Sequence, residues 1–309
     1  DWPDKIPPIA KYAFTYLFVQ AEFGIMCPIS VTDTSMEILL KFADEDLQRR
    51  YIDKMLLTDR ETMLRGTQFM TEKRGGSDVG RLETEAVHDG KDWRLYGEKW
   101  FCSHVDADLA MILARPDGAP EGTKGIGLFL LPRTLPDGSR NSYRVKRLKP
   151  KMGTNSMASG EIVLEGAIAY PVGDLAHGLK HMMVQVNLSR LSHGVRAASM
   201  MRRCYNEALA VARSRIAFGG ELIDKPLVRR QLLKIQVPTE QALSMYAYTA
   251  DQLGRAKDGD KVADERVRIL TPLYKFRACR DNPGVATASM EMRGGNGYIE
   301  DYINPRLVR

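Results

Sequence analysis

Cysteine is scarce in this chain of 309 residues: Cys27, Cys102, Cys204 and Cys279 stand far apart, and no Cys-x-x-Cys pair occurs. That spacing excludes a disulfide framework and a cysteine-ligated zinc site, and it reads as reduced, buried or half-buried thiols. Long apolar runs are missing too. No stretch reaches the roughly 18 uninterrupted apolar residues that a membrane-spanning helix takes. The opening Asp1-Trp2-Pro3-Asp4 is polar and leads into no cleavable apolar segment, so no signal peptide is read and a cytoplasmic location is expected. Histidine offers little to a metal. His177 and His181 have the spacing of one helix face, but no His-Glu-x-x-His pattern accompanies them and Lys180 adds charge beside them. No metal site is expected.

What is present is an ordinary globular composition, 44% hydrophobic and 27% charged, long enough for about two domains. The formal net charge of +6 suits anionic partners, whether phosphate-bearing cofactors or nucleic acid, and does not choose between them.

Three textures follow one another. Residues 1–66 are helical in pattern, with an apolar-rich run at 10–24 and another at 35–42, where Met36, Leu39 and Leu40 recur at helical spacing. Asp44 before Glu45-Asp46 is a helix start. Residues 67–177 turn to short strands. Asp89-Gly90 between 84–87 and 93–96 signals a hairpin, 109–114, 126–131 and 159–164 are apolar strands, and Pro136-Asp137-Gly138 is a turn. Many short strands in about 100 residues predict a small antiparallel barrel or sandwich. Residues 178–309 are helical again. Leu188, Leu191, Val195, Ala198, Met201, Tyr205, Ala208 and Ala212 keep three- and four-residue steps, and Phe218-Gly219-Gly220 reads as that helix's end. Two further helices are expected near 227–254 and 263–280, with a separate short one at 285–292, forming a bundle. The fold class is α+β multidomain: a helical N-terminal domain, a middle antiparallel β domain and a C-terminal helical bundle.

Four segments carry chemistry. Phe69-Met70-Thr71-Glu72-Lys73-Arg74-Gly75-Gly76-Ser77-Asp78 is a polar loop entering the strand-rich region. Its glycines let backbone come close to a ligand, and Thr71 and Ser77 offer hydroxyls; a surface turn would look similar. Gly97-Glu98-Lys99-Trp100-Phe101-Cys102-Ser103 sets aromatics beside small polar side chains at a strand end, where an aromatic face can stack on a flat group and Ser103 points the same way as Phe101. Core aromatics on a sheet are the bland alternative. Arg215-Ile216-Ala217-Phe218-Gly219 follows a helix, where an arginine either complements the helix dipole or holds a diphosphate. In Glu291-Met292-Arg293-Gly294-Gly295-Asn296-Gly297-Tyr298, glycines permit close approach to a phosphate or an ordinary tight turn.

In this order, across a helix–strand–helix layout, the four segments resemble the acyl-CoA dehydrogenase family over essentially the whole chain. Together with Lys149-Pro150-Lys151-Met152-Gly153 and Ser156-Met157-Ala158-Ser159, the Thr-Glu loop looks similar to the AidB-like branch, flavoproteins linked to the bacterial response to DNA alkylation. The resemblance implies an FAD cofactor and a homotetramer with FAD sites shared between subunits. Met70, Thr71, Gly76 and Ser77, with Phe101 and Ser103, would hold the flavin and its ribityl-pyrophosphate. Arg215, Phe218, Gly294 and Gly295 would reach a neighbouring subunit's FAD. Phe101 stands where many members carry tryptophan, and Pro226 and Glu291 where many carry glutamine.

The implied reaction is α,β-dehydrogenation of an acyl-CoA thioester, in which a carboxylate takes the α-proton and flavin takes the β-hydrogen as hydride. Ser77 and Arg190 would face that substrate. In most members the base is a glutamate shortly after the stretch that matches 305–309, so it is expected beyond Arg309. A minority place it at the position of Ser189, and serine cannot serve at neutral pH unaided. The N-terminal domain is expected to be incomplete at its start. The alternative implied by the branch is a DNA-binding or alkylation-protecting flavoprotein with weak or vestigial dehydrogenation. The additional basic C-terminal domain that binds DNA in AidB has no counterpart among these residues.

Overall fold

The structure, a computed structural model, describes residues 6–309, so the polar Asp1-Trp2-Pro3-Asp4 opening lies outside the described residues. By internal contacts the described residues form two compact units, residues 27–189 and residues 6–26 with 190–309.

Helix α1 (Pro8–Val19) belongs to the second of these units. Helix α2 (Met26–Phe42) runs through the first, and its buried residues come in doublets four apart: Ser30-Val31, Thr34-Ser35 and Ile38-Leu39. Leu40, one of the residues read into the stripe, instead lies half-exposed beside that face. Helix α3 (Glu45–Met55) begins where the sequence placed it, because the Asp44 side chain accepts a hydrogen bond from Leu47 N at 2.8 Å. Such a cap is worth about 1 kcal/mol.

Seven strands follow: β1 (Gly66–Phe69), β2 (Glu85–His88), β3 (Trp93–Ser103), β4 (Leu109–Pro116), β5 (Gly127–Pro132), β6 (Tyr143–Leu148) and β7 (Ser159–Pro171). β2 pairs β3, β3 pairs β7, β7 pairs β5, β5 pairs β4, and β4 pairs β2, which closes a circuit; β6 adds to β7. The expected barrel is there, mostly antiparallel. Two pairings, β1–β4 and β2–β4, are parallel.

β4 is apolar at every step from Leu109 to Ala114 because both its faces are covered. Ala110, Ile112 and Ala114 point into the barrel with Phe69, Leu95 and Phe129. Leu109, Met111 and Leu113 pack with Ile38, Leu39, Tyr51 and Met55 of α2 and α3. Fully burying each large aliphatic side chain contributes about 1.5–3 kcal/mol. β1 and β6 carry no apolar strand signal in the sequence, β6 because its charged residues leave only Tyr143 buried on an edge strand.

Helix α4 (Gly178–Ser214) contains the boundary between the units. After it come a two-stranded ribbon, β8 (Ile216–Ala217) and β9 (Gly220–Glu221), then α5 (Pro226–Lys257), α6 (Lys261–Met292) and the short α7 (Asn304–Val308). The predicted stripe on α4 holds, with Leu191, Val195, Ala198, Met201, Ala208 and Ala212 buried. Two readings are corrected. Phe218-Gly219-Gly220 does not cap α4, which ends at Ser214; Phe218 and Gly219, at φ of 53° and 77°, form the tip of the β8–β9 hairpin. The segments at 263–280 and 285–292 are one helix, continuing through Pro272 and Pro283. Burial of Val285, Ala286 and Ser289, and the bond from Ser289 Oγ to Cys204 O at 2.7 Å, outweigh the donor that Pro283 removes.

Candidate cofactor site

Within the barrel unit, helix α2 and strand β1 bring the Met70–Ser77 loop to its place. Gly66 sits so close to α2 that an added methyl would lie 2.7 Å from Ser35 Cβ. The strand is then tied down by Gly66 N donating to Thr32 Oγ1 at 3.0 Å and Ser35 Oγ donating to Thr67 O at 3.2 Å. Thr67 Oγ1 donates to Ser103 O at 2.6 Å, so the end of β3 is fixed beside the strand that leads into the loop.

Thr71 O accepts a hydrogen bond from Trp100 N at 2.8 Å, which joins the loop directly to the second segment. There β3 carries a bulge: Lys99 pairs Ile162 and Cys102 pairs Gly160, so Trp100 and Phe101 together face Glu161. The bulge re-aims the aromatics outward. Beyond it, Cys102 is buried while Phe101 is 49% exposed and Ser103 half-buried, the common side expected for Phe101 and Ser103. Burial pushes the Cys102 thiol up to about 12, which makes it inert. Met70 packs against the α2–α3 core, Ser77 is exposed, and a methyl built on Gly76 would meet nothing within 4 Å. Met70, Thr71, Gly76, Ser77, Phe101 and Ser103 are thus gathered on two joined segments of one unit.

One buried ion pair and one partly exposed ion cluster adjoin these two segments, and the sequence motifs assign neither a role. Glu72 and Lys99 are 4% and 0% exposed, with Lys99 Nζ 2.6 Å from Glu72 Oε1. The same carboxylate accepts from Glu83 N, Thr84 N and Thr84 Oγ1, and Lys99 Nζ also donates to Leu113 O at 2.7 Å. Burial opposes the Glu72 charge, but the Lys99 ammonium and these donors outweigh it and hold the carboxyl below its ordinary range. The second group is a cluster of three: buried Glu161 accepts from the exposed Arg147 Nε and from Lys149 Nζ, each at 2.7 Å. Lys149 Nζ lies 3.1 Å from the Trp100 ring centroid and 5.0 Å from that of Phe101. A signal for the first pair existed. Lys99 shares its strand face with Leu95, and a lysine at an inward position demands a buried carboxylate.

The helical unit gathers the other predicted residues. Arg215 is the first residue past α4, its N–H bonded to Val211 O at 3.0 Å, and a methyl built on Gly294 would lie 3.7 Å from its Nη1. The turn that carries Gly294 and Gly295 is anchored by Arg293, which bonds Asn304 Oδ1 at 2.8 Å and Glu207 Oε2 at 2.7 Å. Gly294 has φ of 65°, and nothing lies within 4 Å of a methyl placed on Gly295. Gly297 is different in kind, since a methyl there would sit 2.1 Å from Met290 O. Phe218 stands on the hairpin tip, 90% exposed and with positive φ, its carbonyl bonded by Lys225 Nζ at 2.9 Å. Such strain persists where the surroundings impose it. Arg190 is not part of this group: it lies on α4 about 25 residues earlier, roughly 35–40 Å along the helix. Ser189, beside it, is buried.

His177 pairs with Asp174 at 2.8 Å and His181 stacks on Phe42 at 4.1 Å. Among the described residues no three His, Cys, Asp or Glu side chains are grouped as metal ligands, and no helix is long and apolar enough to cross a membrane.

The described residues thus combine a closed, mostly antiparallel β barrel with helices of 32 to 37 residues, an α+β architecture. Comparison with known proteins gives the family. Residues 67–167 match the acyl-CoA dehydrogenase middle domain and residues 176–309 its C-terminal domain. The chain belongs to the acyl-CoA dehydrogenase family, whose members are FAD-dependent flavoproteins. Acyl-CoA dehydrogenase family member 11 of Caenorhabditis elegans is 33% identical over 100% of this chain and 52% of its own length. Putative acyl-CoA dehydrogenase AidB of Escherichia coli is 33% identical over 97% of this chain and 56% of its own. The crystal structure of Caenorhabditis elegans ACDH-11 in complex with C11-CoA matches with a TM-score of 0.92 at 32% identity, covering 99% of this chain and 54% of that one. The chain thus spans about half the length of these relatives.

Proposed function

We propose that the protein is an FAD-dependent dehydrogenase that introduces an α,β double bond into an acyl-CoA thioester. The observation that carries the reading is the presence of two open, preformed surfaces of the right chemistry, one on each unit. On the barrel unit, the loop at 70–77 offers uncovered backbone and hydroxyls beside a half-exposed aromatic. On the helical unit, a guanidinium stands at a glycine turn. These residues fit FAD. Thr71 and Ser77 donate to polar edges of the cofactor, Phe101 stacks on its flat part, and Ser103 bonds beside it. Arg215 pairs with a diphosphate, Gly294 and Gly295 let backbone amides approach it, and Phe218 covers it.

FAD, when bound, supplies the hydride acceptor. Ser77 and Arg190 orient the acyl-CoA. The α-proton goes to a carboxylate, a role Ser189 cannot take because serine has no basicity for it at neutral pH unaided. The assembly is a homotetramer in which Arg215, Phe218, Gly294 and Gly295 reach a neighbour's FAD. The exposed apolar residues Val262, Ile269, Leu273 and Phe276 along α6 support a partnered helix face. The C11-CoA bound by ACDH-11 supports an acyl-CoA substrate here.

Dye reduction by the full-length protein with acyl-CoAs of graded length tests the reaction; turnover with at least one of them is expected, and flavin inert to all would overturn it. The second reading, an AidB-like flavoprotein that binds DNA, rests on the identity to AidB, and the net charge of +6 is compatible with it. Duplex binding that weakens steeply with salt, in a protein inert to acyl-CoA, would select it.

A further inference from the structure

We propose that the buried Glu72–Lys99 pair is a positioning device that holds the Met70–Ser77 loop and the Trp100–Phe101 bulge in one fixed relation, and so presets both walls of the FAD site. This rests on the FAD reading above. The two residues sit at the roots of the two walls: Glu72 is bonded in sequence to Thr71, and Lys99 lies two residues before Phe101. Between them the bond from Trp100 N to Thr71 O at 2.8 Å closes a small ring of contacts.

Two physical arguments separate a positioning role from simple stabilisation. A fully buried ion pair has little net stability advantage over an apolar pair of the same shape, since desolvation offsets the attraction. Its gain is in direction. Glu72 Oε2 accepts from Glu83 N at 2.5 Å, Oε1 accepts from Thr84 N at 3.2 Å and Thr84 Oγ1 at 2.5 Å, and Lys99 Nζ reaches Oε1 at 2.6 Å. Lys99 Nζ then ties the carboxylate to Leu113 O at 2.7 Å, on the fully buried strand β4. Three chain segments are therefore located by one carboxylate; the loop's other side-chain contacts lie at its surface, Arg74 with Glu83 at 3.1 Å and Lys73 over the Trp100 ring at 4.8 Å.

The test uses the full-length protein and three variants: Glu72→Gln with Lys99→Met together, Lys99→Met alone, and Glu72→Asp, which keeps the charge and withdraws the carboxylate by one methylene. Each is assayed by thermal midpoint, by hydrogen–deuterium exchange of the peptides over 70–77 and 100–103 in the apoprotein, and by titration with FAD. The neutral double variant is expected to recover most of the midpoint lost in Lys99→Met. Its loop amides exchange faster, with core strands unchanged, and FAD binds about tenfold more weakly or worse. Glu72→Asp shows the same exchange and FAD pattern with a smaller loss of midpoint than Lys99→Met alone. A double variant that binds FAD within about twofold of the parent, or losses of FAD affinity that merely track the midpoint across the series, would overturn the proposal. If the double variant does not fold, Glu72→Asp decides by the same two readouts. Should the parent protein take up no FAD, the cofactor reading fails on its own, and the exchange rates still uphold or overturn the positioning role.

Discussion

Glycine-to-alanine substitution in the turn after α6 separates residues that serve the fold from residues that serve the cofactor, within a span of three positions. At Gly297 the added methyl would stand 2.1 Å from Met290 O and 3.0 Å from Met290 C, where Cβ contacts essentially never fall below 3.0 Å. The obstacle is backbone of α6, so the turn itself must move by about 1 Å. Overpacking of that kind costs about 1–3 kcal/mol, and with no side chain free to yield the upper part of that range applies. For a chain of this size each kcal/mol lowers the midpoint by about 2–4 °C, so a fall of about 5–10 °C is expected for Gly297→Ala. At Gly295 nothing lies within 4 Å and φ is not positive, so Gly295→Ala should leave stability within about 0.5 kcal/mol. Its methyl instead covers backbone proposed to approach the FAD diphosphate, and FAD affinity should drop. Calorimetry paired with FAD titration of both variants is the assay. A stable Gly297→Ala, or a Gly295→Ala with unchanged FAD affinity, would refute the reasoning at the position concerned.

Other outcomes follow from the same geometry. Replacing Asp44 by Ala removes the acceptor for Leu47 N and should cost about 1 kcal/mol, read from chemical denaturation. Burial pushes the Cys102 and Cys204 thiols up to about 12, so at pH 8 only about one in ten thousand is thiolate; iodoacetamide should label half-buried Cys27 first and spare both in the native protein. The Glu72 carboxyl is held below its ordinary 4.5 in the folded state, so its contribution is present above that value and is lost as pH falls through the folded value. The thermal midpoint should fall progressively below pH 4.5, and Glu72→Gln should flatten part of that slope.

Much of the fold could be read from the chain because its local signals and packing agree. Asp44 caps α3, Asp89-Gly90 lies in the turn joining β2 to β3, and the stripe from Leu191 to Ala212 is the buried face of α4. The failures share a cause, which is tertiary context overruling a local signal. Pro283 reads as a helix stop, yet burial of Val285 and Ser289 carries α6 through it. Phe218-Gly219 reads as a helix cap, yet both residues at positive φ are equally what a two-residue hairpin takes. β6 is charged because it lies on an edge of the barrel, where its cations pair with Glu98, Glu161 and Glu165. At the candidate site, the exposed residues were legible as motifs. Of the buried supports only half was legible: the inward position of Lys99 calls for a buried carboxylate, but Glu72 is 27 residues away and meets it only after β3 folds against the loop.

The central claim is that this chain forms an FAD site serving acyl-CoA oxidation. The most direct measurement is the visible spectrum of the full-length protein during anaerobic addition of an acyl-CoA. The account predicts a flavin spectrum in the purified protein that bleaches as the thioester is added. A protein that takes up no FAD, or one whose flavin stays oxidised with every acyl-CoA tried, would contradict it.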